Sequence, residues 1–343
     1  MRSVTLLLRR NRWPLSPSSP CSTRHQSTFN YRESVNENKE NARRLVLLEN
    51  LHHQPDIKAK IGNVDKEFLS DKLDANIDKF WTWSYHRRSF FLLQLNSVED
   101  VAQLKEKCGF NLHSFPVKTR MIEASFDLPS EKPTTPSHER FYEFVSSQAK
   151  RPLLVSELKK KYTSAQMIEY LTTSNSLTEL DIQLRYFLIT QIEDILCQGI
   201  FSGFHIYPFG SSLAGLGDST SDLDICMLHG NLQHLKGLNF SMPEVKSDRD
   251  QTQQSLCIIA DIMRHFLPNF SQINRILRAR VPIVRTTFDL APIDMDISIE
   301  LSQEAGHHGF MMARYISYSL SVDPLVKQFF VILKTWARQH GKH

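Results

Sequence analysis

No run of about 18 apolar residues occurs anywhere in the 343-residue chain, so no segment reads as a membrane-crossing helix. Cysteine is scarce. The five thiols, at positions 21, 108, 197, 226 and 257, form no Cys-x-x-Cys pair and share no zinc-ligand spacing. That excludes a disulfide scaffold and a zinc ribbon, and leaves reduced, mostly buried thiols. The first 32 residues lack Asp, Glu and Lys altogether, yet hold six arginines. Without those six, the formal charge of +4 becomes −2 for the rest of the chain. The body of the protein is therefore not basic, and any contact with nucleic acid has to come from local patches.

What the first 32 residues do contain is arginine, serine and threonine around a short apolar run, Val4 to Leu8. This is the composition of an organelle transit peptide. A secretory signal needs a longer apolar stretch, and the bland alternative is a solvated basic tail.

The chemistry concentrates in Phe209–Ile225, FGSSLAGLGDSTSDLDI. Side chains on a strand alternate faces, so Asp222 and Asp224 project together while Leu223 and Ile225 enter a core. Two carboxylates at i and i+2 repel each other unless a cation lies between them, and magnesium takes one or two carboxylates together with substrate phosphates. Gly210 lets the backbone approach an anion, and the hydroxyls of Ser211 and Ser212 add donors. The order is that of a phosphate-cradling turn followed by a metal-holding strand, as two-metal phosphoryl transfer requires. Asp294-Met295-Asp296-Ile297-Ser298 reads as a further strand with two acids on one face, and Lys334 and Arg338 stand at i and i+4 on one helix face.

Apolar-Gly-Ser, a gap of ten residues, then Asp-apolar-Asp-apolar resembles the DNA polymerase β-like nucleotidyltransferases. The fuller text, Phe209-Gly210-Ser211-Ser212 and Ser221-Asp222-Leu223-Asp224-Ile225-Cys226, looks like the terminal nucleotidyltransferases that extend RNA 3′ ends, among them the poly(A) polymerases of mitochondria. The resemblance implies template-independent addition of AMP from ATP to an RNA 3′ end, with Mg2+ or Mn2+ as the metal. Terminal uridylyl transfer and a catalytically weak scaffold in an RNA complex are the alternatives. It implies Asp222, Asp224 and Asp296 as catalytic and metal-binding, Asp296 being favoured over Asp294 because it follows Val281-Pro-Ile-Val284 in an Asp-apolar-Ser context. It also implies that Gly210, Ser211, Ser212, Lys334 and Arg338 hold the nucleoside triphosphate. Arg275, Arg278, Arg280 and Arg285 are candidate RNA contacts. Relatives carry paired asparagines after the third acid, whereas this chain has Glu300-Leu301. With the basic leader, the implied location is the mitochondrial matrix.

The expected fold is α+β: a mixed sheet flanked by helices over 141–300. A transit peptide at 1–32 and a polar, helical linker region at 33–83, with a helix near Asn41–His52, precede a small RRM-like α/β unit at 84–128. In that unit, strands at Arg88–Leu95 and Met121–Phe126 flank a helix capped by Ser97 and Asp100. The aromatic Lys/Arg-Gly-Phe signature is missing, so the resemblance favours homodimerisation over base stacking as the use of this unit. Pro-rich 129–140 reads as a linker. Ser176 to Glu179 caps a helix whose Leu180, Leu184, Phe187, Leu188 and Ile192 face a core; Glu193 and Asp194 are assigned to its solvated side and Trp336 to a core. Residues 301–343 read as the start of a helical domain cut short at His343.

Overall fold

Strand β7 (Leu223–His229) is an inner strand of a five-stranded sheet, and its sequence shows why. Leu223, Ile225 and Met227 are fully buried on one face, and Cys226 and Leu228 are buried on the other, so only Asp224 and His229 are partly open to solvent. It pairs antiparallel with β6 (Phe204–Phe209) and parallel with β10 (Ile293–Glu300). Beyond β10 lie β9 (Ile283–Phe288) and β8 (Phe270–Ile276), giving the order β6-β7-β10-β9-β8.

These positions come from a computed structural model that describes residues 31–52, 60–107, 119–130, 141–142, 155–161, 163–229, 248–301 and 308–340. The described residues belong to one unit beginning at Tyr31. Residues 1–30, which hold nearly all of the expected transit peptide, and most of the expected 129–140 linker lie outside the described residues.

A second five-stranded sheet has the order β4-β1-β3-β2-β5: β1 (Leu45–Asn50), β2 (Ile77–Tyr85), β3 (Arg88–Leu95), β4 (Met121–Ala124) and β5 (Phe141–Tyr142). Helices α2 (Lys66–Leu73) and α3 (Val98–Lys107) cover one face of it through Leu69, Leu73, Val101 and Leu104. The Ser97–Asp100 box is formed in both directions, at 3.1 Å each. The β-α-β-β-α-β succession is the split βαβ plan, with β4 running parallel to β1.

Several expectations are corrected here. The helix expected at Asn41–His52 is strand β1, preceded by helix α1 (Tyr31–Ala42). The run LVLLEN is buried throughout because β1 sits between β3 and β4, and a short continuous apolar run does not by itself distinguish a strand from a buried helix. The stretch 33–83 is thus built into the fold, and the sheet reaches well outside 84–128. Tyr31, inside the expected transit peptide, is buried with its hydroxyl donating to Pro208 O, and Phe141, the first residue of the expected 141–300 domain, pairs through its backbone with Thr82 of β2.

Helix α4 (Ser164–Ser174) leads to α5 (Glu179–Leu196), which is buried nearly all round and lies in the same core as both sheets. Its capping box is Thr178 with Asp181, two residues later than expected, because the Thr178 hydroxyl accepts from Asp181 N while Asp181 accepts from Thr178 N. Trp83 Nε1 donates to Leu290 O at 2.9 Å, fastening the first sheet to the second. Helix α6 spans Asp248–Phe266 and packs beside β8. Helices α7 (His308–Val322) and α8 (Pro324–Gln339) close the described chain. Trp336 on α8 is 48% exposed, not in the core.

Candidate active site

The parallel pairing of β7 with β10 puts Asp296 beside Asp224 and Met295 beside Leu223. One step back along both strands, Asp294 lies on the side of Asp222. Four carboxylates therefore share one face at the open end of the sheet. Burial first, and then the charges of Asp296 and Asp222, push the Asp224 carboxyl up to about 6. Asp222 is raised as well, by burial and then by Asp294 and Asp296.

The two acids of β10 have different partners. Asp296 is opposite Arg285 on β9, which donates to it from Nε at 2.7 Å and Nη2 at 2.5 Å. The Asp296 hydrogen bond and charge hold the Arg285 proton more tightly than usual. Asp294 accepts from Thr287 Oγ1 at 2.7 Å. Arg285, expected as an RNA contact, is thus the counter-ion of Asp296. Arg275 likewise pairs with Asp261 of α6, while Arg278 and Arg280 are exposed on the loop between β8 and β9.

The turn before β7 is fitted to these acids. Gly210 has φ +73°, and a β-carbon there would stand 2.1 Å from Asp224 Oδ2. Ser211 faces α8, where Lys334 Nζ donates to its Oγ at 3.3 Å and to Leu216 O at 2.8 Å. Burial, and then Arg338, lower the Lys334 pKa. Ser212 does not join Ser211. It is 1% exposed and turned inward, its Oγ accepting from Arg185 Nε at 3.0 Å. The expectation that both hydroxyls face the phosphates is corrected by this alternation within a helical turn.

Arg338 is bound to Asp218, a residue the sequence reading passed over. Asp218 Oδ1 accepts from Thr220 N at 2.9 Å and from Thr220 Oγ1 at 2.6 Å, the Asx-turn use that Asp-Ser-Thr-Ser in a loop signals. Burial pushes its carboxyl up, but the Thr220 hydrogen bond and the Arg338 charge outweigh that and hold it below the usual range. Glu193, expected on a solvated face, is 4% exposed and ion-paired with Lys39 of α1 at 2.6 Å; Asp194, mostly buried, stands 3.6 Å from Arg120. Helix α5 is covered on that side too, so its acids need internal partners.

Among the described residues, no group of three His, Cys, Asp or Glu side chains stands arranged around a metal position. The donor chemistry nevertheless suits a hard divalent cation. Asp222 and Asp224 supply carboxylate oxygens on one open face; burial first, and the neighbouring carboxylates second, raise both carboxyls, and a cation there would offset the second cause.

A glycine-serine turn thus packs on an acidic strand, with a third carboxylate in register on the next strand. Residues 164–305 match the family model for the central palm domain of mitochondrial-like poly(A) RNA polymerase. Over those residues the chain is similar to that palm domain. The mitochondrial poly(A) RNA polymerase of Drosophila melanogaster is 26% identical over 186 residues, 51% of this chain and 29% of the relative. That of Mus musculus is 27% identical over 241 residues, 66% and 39% respectively. A crystal structure of mtPAP in complex with CTP superposes with a TM-score of 0.71 at 25% identity, over 90% of this chain and 63% of that one. The complex with ATPγS gives the same TM-score at 22% identity. The chain thus spans well under half the length of these two curated relatives.

Proposed function

We propose that the chain is a template-independent RNA 3′-terminal nucleotidyltransferase that transfers AMP from ATP to RNA 3′ ends in the mitochondrial matrix. The observation that carries this reading is the register of Asp224 with Asp296 behind a turn that only glycine can make at position 210. Relatives named poly(A) RNA polymerase, and a related structure with ATPγS, support ATP as the donor.

The RNA 3′-oxygen attacks the α-phosphate in line and pyrophosphate leaves. Asp296, on the strand beside the acidic pair, takes the proton of the 3′-hydroxyl in this reading. Ser211, Lys334 and Arg338 hold the triphosphate against the turn. Asp222, Asp224 and Asp296 would hold magnesium, which would neutralise charge that builds on the phosphates. Arg285 orients Asp296 through its two hydrogen bonds. Arg278 and Arg280 contact the RNA backbone, and the small N-terminal sheet serves homodimerisation.

The test is primer extension with the full chain, a short RNA, magnesium and each nucleoside triphosphate in turn, beside Asp222→Ala and Asp224→Ala. Extension with ATP, lost in both variants, is the expected result. Extension with UTP alone keeps the chemistry and changes the substrate. A folded chain that extends with no nucleotide overturns the enzyme reading in favour of a scaffold.

A further inference from the structure

Arg185, on the second turn of α5, is fully buried, with 0% of its surface exposed, and ranks among the largest side chains in the core. A guanidinium in such a place is costly unless its charge and its donors are all matched. Its charge is matched by Asp181, one helical turn earlier, at 3.6 Å and equally buried. Nη1 donates to Asp181 O at 3.2 Å. The remaining donors leave the helix. Nε donates to Ser212 Oγ at 3.0 Å, and Nη2 donates to Ser221 O at 2.7 Å.

Those two acceptors are the two ends of the loop that makes the site. Ser212 follows Gly210-Ser211, the phosphate turn, and Ser221 precedes Asp222, the first acid of the palm. The planar guanidinium fork keeps its donors at a fixed separation. One rigid group therefore spans a loop whose ends are nine residues apart in sequence and sets the distance between them. The first half of the loop is a single turn over Ser212–Leu216, broken at Gly215 with φ +100°; its second half is closed locally by Asp218 with Thr220 and Ser221, and Lys334 and Arg338 hold it from α8, but among these contacts only Arg185 bonds to both Ser212 and Ser221. Burial lowers the Arg185 pKa, and the charges of Asp181, Asp218 and Asp222 oppose that shift.

We propose that Arg185 is a positioning residue: from behind the sheet it fixes the spacing between the triphosphate turn at Gly210-Ser211 and the metal-facing acid Asp222, so that α5 carries both halves of the site as one piece. It acts through Ser212 and the Ser221 carbonyl, not by touching nucleotide. The idea rests on the nucleotidyltransferase reading, and its test separates the two.

The decisive variant is Arg185→Lys. Lysine keeps the charge beside Asp181 but presents a single ammonium, which cannot bridge both ends of the loop. Hydrogen–deuterium exchange of the backbone over 212–222, measured without nucleotide, should be faster in Arg185→Lys than in the parent while exchange over β9 and the rest of α5 is unchanged. ATP affinity with magnesium, measured by calorimetry, should fall about tenfold, and kcat in primer extension should fall by about as much or more, since an ångström of misplacement is enough for that. Ser212→Ala removes one of the two attachments. Alone it should weaken ATP binding severalfold; added to Arg185→Lys it should do almost nothing further, because the two act through one contact. A purely structural arginine would lower the melting temperature and leave loop exchange, ATP affinity and kcat of the folded protein unchanged, and that result overturns the proposal. So does full additivity of the two substitutions in ATP affinity, or in loop exchange should ATP not bind. If the parent neither binds ATP nor extends RNA, the nucleotidyltransferase reading fails, and loop exchange in Arg185→Lys still decides whether the arginine sets the loop.

Discussion

Gly210 and Asp224 are fitted to each other: the glycine holds φ +73°, and the space a β-carbon would need there is taken by the Asp224 carboxylate, 2.1 Å away. The phosphate turn and the acid it serves therefore occupy one close contact. Gly210→Ala has to displace one or the other. The expected outcome is a loss of extension rate of about 100-fold, from misplacement of the reacting groups. The accompanying loss of stability should be only about 1–3 kcal/mol, the usual cost of a strained backbone position. Rates and urea unfolding on the same preparation check this. An alanine variant within threefold of the parent in rate would mean the turn does not hold nucleotide.

The raised Asp224 carboxyl predicts a pH dependence with a definite sign. Its folded value of about 6 lies above the ordinary 3.8, so between those values the native chain binds a proton the unfolded chain has released. The stability this group contributes is full below about pH 4 and is lost as pH rises through about 6, by at most about 3 kcal/mol. The measurement is unfolding free energy in a chelator across that range, parent minus Asp224→Asn. The difference should fall with rising pH and then level. Magnesium added near neutral pH should stabilise the parent and leave Asp224→Asn much less affected, because only the native carboxylates gather the ion. A flat difference, or equal stabilisation of both proteins, would count against an acidic metal site.

How much of this was legible in the sequence follows the distance over which each interaction acts. Asp222, Asp224 and Gly210 could be read because strand alternation and turn chemistry are local, and the acid pair does sit on one face of β7. Asp296 could be placed by its context, and the β7–β10 register brings it to Asp224. The run at Leu45–Asn50 was misread because burial on both faces of a central strand erases the period-two signal. The partners of Asp296, Arg338, Ser212 and Glu193 were hidden for another reason. Each is set by packing of elements distant in sequence, and a charged residue on a helix carries no local mark that its face is covered. Glu193 and Asp194 looked like a solvated edge because the two sheets that bury α5 come from elsewhere in the chain.

Glu193 shows what that covering implies energetically. Its Oε1 accepts from Lys39 Nζ at 2.6 Å and from Ile206 N at 3.0 Å, Arg43 approaches Oε2 at 3.4 Å, and both Glu193 and Lys39 are buried. The pair ties α1 and α5 to β6, the strand that feeds the phosphate turn. Glu193→Ala leaves the Lys39 ammonium uncompensated in the core and should destabilise by about 3–5 kcal/mol. The double variant Lys39→Met/Glu193→Gln removes both charges and keeps an acceptor for Ile206 N. It should recover most of that loss. Urea unfolding of the three proteins tests it. A double variant as unstable as Glu193→Ala would show that the charges themselves, not the uncompensated one, hold these elements.

Lys334 and Arg338 present the last question, because each has two uses. Lys334 already donates to Ser211 and to the Leu216 carbonyl, and Arg338 is paired with Asp218. These contacts dock α8 on the turn, and the same cations are the proposed triphosphate holders. Docking and binding separate in a charge exchange. Arg338→Asp places two acids together, and should both loosen α8 and raise the KM for ATP. Adding Asp218→Arg restores opposite charges in reversed order. If docking were the only role, both stability and KM would return. The expected outcome is that thermal stability recovers and KM stays at least about tenfold high, the signature of lost substrate binding and not of lost structure. The exchange leaves the acid at position 338, where a triphosphate needs a cation, and an arginine at position 218 starts from a loop whose Asx turn to Thr220 has gone. Recovery of KM together with stability would assign Arg338 to docking alone and leave Lys334 as the cation at the triphosphate.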